Sequence, residues 1–279
     1  MRTIKVDRIT QVVAELCIRA NLFLRKDVLN ALRQAYFREK SKMARCILGA
    51  IIKNAKIARQ KRLPLCQDTG IAVVFLELGQ DVRITGGNLN TAINKGIELG
   101  YRKGYLRDSM VAHPLLRGKP VFSGGVIHID LVKGSRIKIT VLAKGFGCEN
   151  KTALKMFKPT AGWKEVKHFI IETVKNAGPD ACPPYIVGVG LGGTAEYAMF
   201  LAKKALLRKI TTTTGYAFNA KLESDCLKDL NQLNLGPMGL GGKTTALAVN
   251  IETHPTHITG LPVAVNISCH ALRSATTVL

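Results

Sequence analysis

Ile127-His128-Ile129-Asp130-Leu131-Val132-Lys133-Gly134-Ser135-Arg136-Ile137-Lys138-Ile139-Thr140-Val141 is the stretch on which the fold turns. Apolar residues at 127, 129 and 131 alternate with His128 and Asp130, the period of a strand with one buried face. Lys133-Gly134-Ser135 supplies turn chemistry, and Ile137, Ile139 and Val141 resume the alternation, so the stretch predicts a β-hairpin. Working upstream, residues 71–77 form another β-rich run and residues 89–101 read as a helix.

Before Pro64 the period changes to that of helices. Ile9, Val12, Val13, Leu16, Cys17 and Ala20 make one stripe. Met43, Ala44, Ile47, Leu48, Ile51, Ile52 and Ala55 make a second, with Ser41 as its N-cap. Cys17 and Cys46, on or beside these stripes, read as small buried hydrophobes. Downstream, residues 163–176, 195–207 and 219–233 read as helices, and 185–189, 246–251 and 261–267 as buried strands. The expectation is an α/β fold of mixed α+β type. A helical N-terminal segment, 1–62, packs on an α/β body, 63–279, and the two can equally form one continuous domain.

Composition narrows the function classes. The 279 residues are 47% apolar and 22% charged, enough to bury a large core. No apolar run approaches the ~18 residues of a membrane span. Met1-Arg2-Thr3-Ile4-Lys5-Val6-Asp7 lacks a secretory signal, which predicts a soluble, cytoplasmic protein. Forty-one Lys and Arg against nineteen Asp and Glu leave +22, and residues 1–62 alone hold 16 basic and 4 acidic side chains. Such a field draws anionic partners: an acidic subunit, anionic substrates or nucleic acid. A basic nucleic-acid-binding protein is the alternative from a different class. The scatter of the basic residues over helices, without aromatic interleaving, weighs against it.

Two glycine motifs fail on inspection. Gly188-Val189-Gly190-Leu191-Gly192-Gly193 fits a dinucleotide fingerprint, but residues 203–214 contain no acid to hold a ribose. It reads as a glycine-rich strand-to-helix turn. Gly241-Gly242-Lys243-Thr244 resembles the end of a P-loop, but Pro237 stands where the first glycine belongs and offers no N–H to a phosphate.

The seven cysteines include no C-x-x-C, and an odd, irregular set argues against a disulfide framework. Cys66, Cys182 and Cys269 each sit among turn formers or polar groups: Leu65-Cys66-Gln67-Asp68-Thr69-Gly70, Ala181-Cys182-Pro183-Pro184 and Ser268-Cys269-His270. Three converging thiolates could hold an iron–sulfur cluster with one iron open, or they could be ordinary thiols. Cys148, in Gly145-Phe146-Gly147-Cys148, is a rival ligand; Cys226, in a helical stretch, is not.

Together, residues 65–70, 147–159, 182–193 and 239–269 resemble the class I, iron–sulfur-dependent fumarate hydratase and L-tartrate dehydratase family. The likeness is to the α subunit of its two-subunit members and covers nearly the whole chain. It implies a [4Fe-4S] cluster on Cys66, Cys182 and Cys269. It also implies Asp68 and His257 as catalytic residues, and Gln67, Arg107, Gly147, Asn150 and Lys155 at the substrate, the last three on a loop and helix start. The implied reaction is the reversible hydration of fumarate to L-malate, a step of the tricarboxylic acid cycle. The alternative is dehydration of L-tartrate to oxaloacetate.

These residue types suit that chemistry. An open iron is a Lewis acid for a leaving hydroxide. An arginine stabilises carboxylate charge, and a carboxylate with a histidine can move a proton. Where the family usually has Ser, this chain has Cys148, a spare thiol beside the expected cluster. The chain also stops at Leu279, before a further domain that single-chain relatives carry. The expectation is therefore a β subunit completing the site in a hetero-oligomer such as α2β2, acting on a small dicarboxylate, with no membrane partner.

Overall fold

A computed structural model describes residues 2–122, 124–210 and 217–279. In chain order the first elements are β1 (Arg2–Lys5), α1 (Val6–Leu22), α2 (Lys26–Arg38), α3 (Lys42–Lys61), β2 (Ile71–Gly79), β3 (Val82–Thr85) and α4 (Leu89–Lys103). There follow β4 (Met110–His113), β5 (Arg117–Val121), β6 (Val126–Val132), β7 (Ile137–Lys144), α5 (Phe146–Glu149), β8 (Ala153–Phe157) and α6 (Trp163–Ala177). The last are β9 (Tyr185–Gly193), α7 (Ala195–Ala205), α8 (Ala217–Gln232), β10 (Ala246–Thr256), β11 (Leu261–Ser268) and β12 (Ser274–Val278). The fold is mixed α/β, as the alternating periods require. Among the described residues no helix is long and apolar enough to cross a membrane.

The chain divides into two compact units that interleave in sequence. The first comprises residues 2–25, 55–146 and 273–279; the second comprises 26–54 and 147–272, as far as described.

In the first unit a four-stranded sheet runs β12-β7-β2-β6. α1 presents Ile9, Val12, Val13, Leu16 and Cys17 to one face of it, where they meet Val74, Leu76, Ile139, Val141 and, from α4, Ile93 and Ile97. The expected hairpin of residues 127–141 does not form. β2 lies between its arms, parallel to β6 and antiparallel to β7. The reason is the burial of β2, whose residues Ala72 to Leu76 are all buried. A strand so enclosed must bond along both edges. Arms one strand apart are ~10 Å from each other, a gap that the residues between β6 and β7 can straddle. They do so over the end of β2, where the Gly79 N–H donates to the Arg136 carbonyl (2.9 Å) and the Gln80 N–H to the Val132 carbonyl (2.9 Å).

In the second unit the sheet runs β10-β9-β11-β8, with β10 parallel to β9, β11 antiparallel to β9 and β8 antiparallel to β11. Val166, Ile170 and Val174 of α6 and Leu222, Cys226 and Leu230 of α8 build the main core with Val187, Val189, Ile251 and Val265. A narrower layer holds α7, where Ala198 and Ala202 meet Ala264. Here the glycine motif takes a different form from the expected turn: it lies inside β9. A Cβ at Gly188 would stand 2.1 Å from the Ala202 carbonyl oxygen, and one at Gly190 2.0 Å from that of Ala198. Gly188 and Gly190 bring a helix onto a strand. Part of the acid-free tract that follows, residues 211–214, lies outside the described residues.

The Ser41 cap is present, its Oγ accepting from the Ala44 N–H (3.3 Å). Cys17 is fully buried as expected, but Cys46 is exposed, because it falls on the outer side of α3. At the P-loop-like stretch the Lys243 N–H donates to Glu39 Oε2 (2.9 Å), so this backbone donor serves a buried carboxylate of the chain itself.

Candidate active site

The turn of residues 65–70 belongs to the first unit and is held from four sides. The Leu65 N–H donates to the Asn21 carbonyl (2.9 Å). Buried Thr69 exchanges two bonds with Arg107 through its Oγ1, giving to the carbonyl (3.1 Å) and accepting from the N–H (3.0 Å). The Tyr101 hydroxyl donates to the carbonyls of Thr69 (3.1 Å) and Gly70 (2.9 Å). Burial pushes that hydroxyl above the usual tyrosine range, with a further push from Cys17, so Tyr101 remains a donor. Buried Arg273 donates from Nη1 to the Asp68 carbonyl and to Asn21 Oδ1 (3.2 Å).

Cys66, Gln67, Asp68 and Arg107 are thus brought onto one short surface. The Cys66 thiol is half-buried and donates to Gln67 Oε1 (3.4 Å). Asp68 is half-buried, and each of its carboxylate oxygens accepts a backbone N–H: Oδ1 from Gly70 and Oδ2 from Phe146, both at 2.9 Å. The Arg107 side chain is exposed. A fixed carboxylate can exchange a proton with a ligand, and a solvent-facing guanidinium whose backbone is tied to the same turn can orient an anionic one.

In the second unit, Cys182 and Cys269 lie at one end of the sheet, because Cys182 leads into β9 while Cys269 follows the antiparallel β11. His270 ties the two segments together: its N–H and its ring Nδ1 both meet the Cys182 carbonyl oxygen, at 3.4 and 3.0 Å. Cys182 has a left-handed backbone (φ 56°) and precedes a cis Pro183–Pro184 bond. The fully buried Tyr185 donates its hydroxyl to the Gly178 carbonyl and so fixes the start of the same loop. Burial first, then the nearby Cys148, Cys182 and Cys269 thiols, push that hydroxyl above the usual tyrosine range. Cys148 is buried on α5, its Sγ donating to the Ala181 carbonyl (3.3 Å) one residue from Cys182.

Gly147 and Asn150 are exposed at this same end, where neighbouring Lys151 pairs with Asp180 (3.0 Å). Lys155 is not at a helix start. It lies within β8 opposite Val263, with its ammonium over the Phe157 ring (4.7 Å). His257 lies farther off, before the start of β11 while Cys269 follows its end; eight residues of strand separate them, ~26 Å at ~3.3 Å per residue. It is exposed, with Nδ1 bonded to Thr259 Oγ1 (2.8 Å), and with His254, Tyr197 and Thr194 it lines an open cleft of about 520 Å³.

Among the described residues no group of three or more His, Cys, Asp or Glu is gathered closely enough to hold a metal ion. The pair Cys182 and Cys269, half-buried thiols on two segments locked together, fits the donor chemistry of an iron–sulfur cluster, and Cys66 offers a third such thiol in the first unit. Arg273, Tyr101, Asn21, Tyr185 and His270, which brace these segments, are not among the residues expected at the site from sequence. Only His270 carried a signal, its place beside Cys269.

A family model described as fumarate hydratase (Fumerase) matches residues 10–278. A protein of Methanocaldococcus jannaschii provisionally named L(+)-tartrate dehydratase subunit alpha is 42% identical over 275 residues, covering 96% of each chain. The L(+)-tartrate dehydratase subunit alpha of Escherichia coli UTI89 is 31% identical and that of strain K12 30% identical. Each match covers 97% of this chain and 90% of the relative.

Proposed function

Because this chain belongs to the fumarate hydratase family of hydro-lyases, we propose that it is the α subunit of a two-subunit hydro-lyase that dehydrates L-tartrate to oxaloacetate. The observation that carries this reading is its near end-to-end likeness to proteins named as tartrate dehydratase α subunits. Hydration of fumarate to L-malate is the second reading, favoured by the description of the matching family. Both reactions remove or add water next to a carboxylate, and the two substrates carry the same pair of anionic ends.

Cys66, Cys182 and Cys269 would hold a [4Fe-4S] cluster, which when bound supplies a Lewis-acidic iron for the hydroxyl that leaves. Arg107 is proposed to bind a substrate carboxylate, its backbone clamped by Thr69 so that the guanidinium has a fixed origin. Gln67 beside it would meet a substrate oxygen. Asp68 would move the proton, its orientation set by the Gly70 and Phe146 N–H groups. Gly147 and Asn150, at the cysteine end of the second unit, are the candidate lining residues. His257 and Lys155 stand along or beyond the strands, and His257 would reach a site at Cys269 only from a different chain. The β subunit named by the relatives' α designation would supply the remaining contacts.

The test is anaerobic reconstitution of the purified chain, with iron and acid-labile sulfide counted per polypeptide beside Cys182→Ser. The wild type is expected to bind a cluster of about four irons that the variant loses. Absence of stable iron in the complete α–β complex would overturn the cluster. The same complex, assayed on L-tartrate and on fumarate, separates the two substrate readings. Full turnover by the α chain alone would overturn the two-subunit reading.

A further inference from the structure

We propose that a cleft in the second unit, walled by one face of α2, binds a nucleoside monophosphate. Asp27, Asn30, Ala31, Gln34, Ala35 and Arg38 fall at i, i+3, i+4, i+7, i+8 and i+11, so a single helix face lines this cleft of about 370 Å³. The rest of the lining includes Leu227 and Asn231 of α8, Leu247 of β10 and, just before β10, Lys243 and Thr244. None of the residues placed at the candidate active site lines it. From Asp27 to Arg38 the wall runs ~16 Å, at ~1.5 Å per residue.

The charges of the cleft are unequally spent. Glu39 is 4% exposed and accepts three backbone N–H groups: Lys40 (2.9 Å) and Ser41 (3.2 Å) at Oε1, and Lys243 (2.9 Å) at Oε2. Asp27 accepts the Ile210 N–H at Oδ2 (3.0 Å). The side chains of Arg38 and Lys243 are exposed and, among the described residues, have no hydrogen-bond or ion-pair partner. The acids thus serve the backbone, and the charge left to meet a ligand is positive. Glu39 also ties the two cations to one end of the cleft, since it holds the Lys243 N–H and directly follows Arg38.

The ligand class follows from the donors and from what lies beyond them. Asn231 uses Oδ1 to accept the Thr245 (2.8 Å) and Ala246 (2.9 Å) N–H groups, which leaves its Nδ2 as a donor, and Thr244 adds a hydroxyl. A guanidinium fork, an ammonium, an amide and a hydroxyl together suit the several oxygens of a phosphate dianion, more than a single carboxylate can use. A bare phosphate would fill only that end. Ala31, Ala35, Leu227 and Leu247 offer apolar surface to an organic body, and Asn30 and Gln34 carry amides that both give and accept, as the edge of a heterocyclic base requires. Lys243 and Thr244 end the P-loop-like stretch, and here they would meet phosphate through side chains, the Lys243 N–H being committed to Glu39.

The inference does not rest on the substrate or the cluster, and its test reads binding and not turnover. Isothermal titration calorimetry of the full chain at physiological ionic strength, with adenosine and uridine 5′-monophosphates as probes, is expected to show saturable binding of one nucleotide per chain. Arg38→Gln and Lys243→Gln should each raise the dissociation constant roughly tenfold. Lys53→Gln removes the same charge from an exposed position on α3 outside the cleft and should leave binding unchanged. Ala31→Phe fills the apolar stretch and should abolish nucleotide binding while sparing weak binding of inorganic phosphate. Far-UV circular dichroism reports whether each variant is folded. Three results would overturn the proposal: no saturable binding of either nucleotide, equal weakening by Lys53→Gln, or inorganic phosphate or L-tartrate binding as tightly as the nucleotides.

Discussion

Arg273 is a charged side chain that is only 3% exposed, and its Nη1 bridges two acceptors that would otherwise be buried with less support, the Asp68 carbonyl and Asn21 Oδ1. Its Nε is buried without a hydrogen-bond partner among the described residues, so the side chain's contribution runs through Nη1, and removing it strands those two acceptors. Arg273→Met is therefore expected to lower the unfolding free energy by about 3 kcal/mol. It should also reduce turnover further by loosening the turn that carries Cys66, Gln67 and Asp68. Urea denaturation followed by assay of the α–β complex separates the two effects, and an unchanged midpoint would remove Arg273 from its supporting role. Arg273→Lys keeps the charge without the planar fork and should fall between the two.

At the scale of elements, β9 and α7 approach each other because Gly188 and Gly190 present no side chain to the helix. Gly190→Ala would force a methyl to within 2.0 Å of the Ala198 carbonyl oxygen, so the helix must shift. We expect a loss of about 3 kcal/mol, read from a denaturation midpoint, whereas alanine at an open strand position costs far less. This contact also marks where the sequence ceased to be legible. The Ile9 to Ala20 stripe was readable because a helix repeats its buried face every 3.6 residues. The runs in β9, β10 and β11 were readable because strands enclosed on both faces are almost wholly apolar. Pairing was not readable, since alternation in residues 127–141 specifies a face and not a neighbour, and the partner that separates the arms lies fifty residues earlier. Polar, turn-rich surroundings singled out Cys182 and Cys269 as candidates, and the strand order sets both at one end of the second unit's sheet. The distance of His257 was not legible, because twelve positions look close in sequence until eight of them are known to be extended. Arg273 and Tyr101 act through carbonyls, which carry no signature at all.

Across the whole molecule each unit hides a thiol in its core: Cys17 in the first and Cys226 in the second, and burial pushes each to about 12 from an ordinary 9.0. A thiol is neutral when protonated, so a raised folded value means that the folded state holds its proton where the unfolded chain has released it. That contribution is complete below pH 9 and is lost as the pH rises from there toward 12. Between about pH 8 and pH 10.5 each thiol should remove roughly 2 kcal/mol of stability, and a Cys226→Ala variant should show a shallower alkaline slope in urea titrations, the rest of the slope coming from Cys17 and from the raised hydroxyls of Tyr101 and Tyr185. A slope unaffected by that substitution would assign the alkaline loss elsewhere.

The interleaving of the two units has an outcome for how the molecule is made. β12 and Arg273, which edge the first unit's sheet and steady its cysteine turn, reach it only after the chain has traversed the whole of the second unit. A nascent chain emerging from the ribosome through Phe146 therefore presents β7 with a bare flank and Asp68 without its guanidinium. The first unit to begin is the last to be finished, and a cut after Leu272 would leave two pieces of which neither contains a complete first unit.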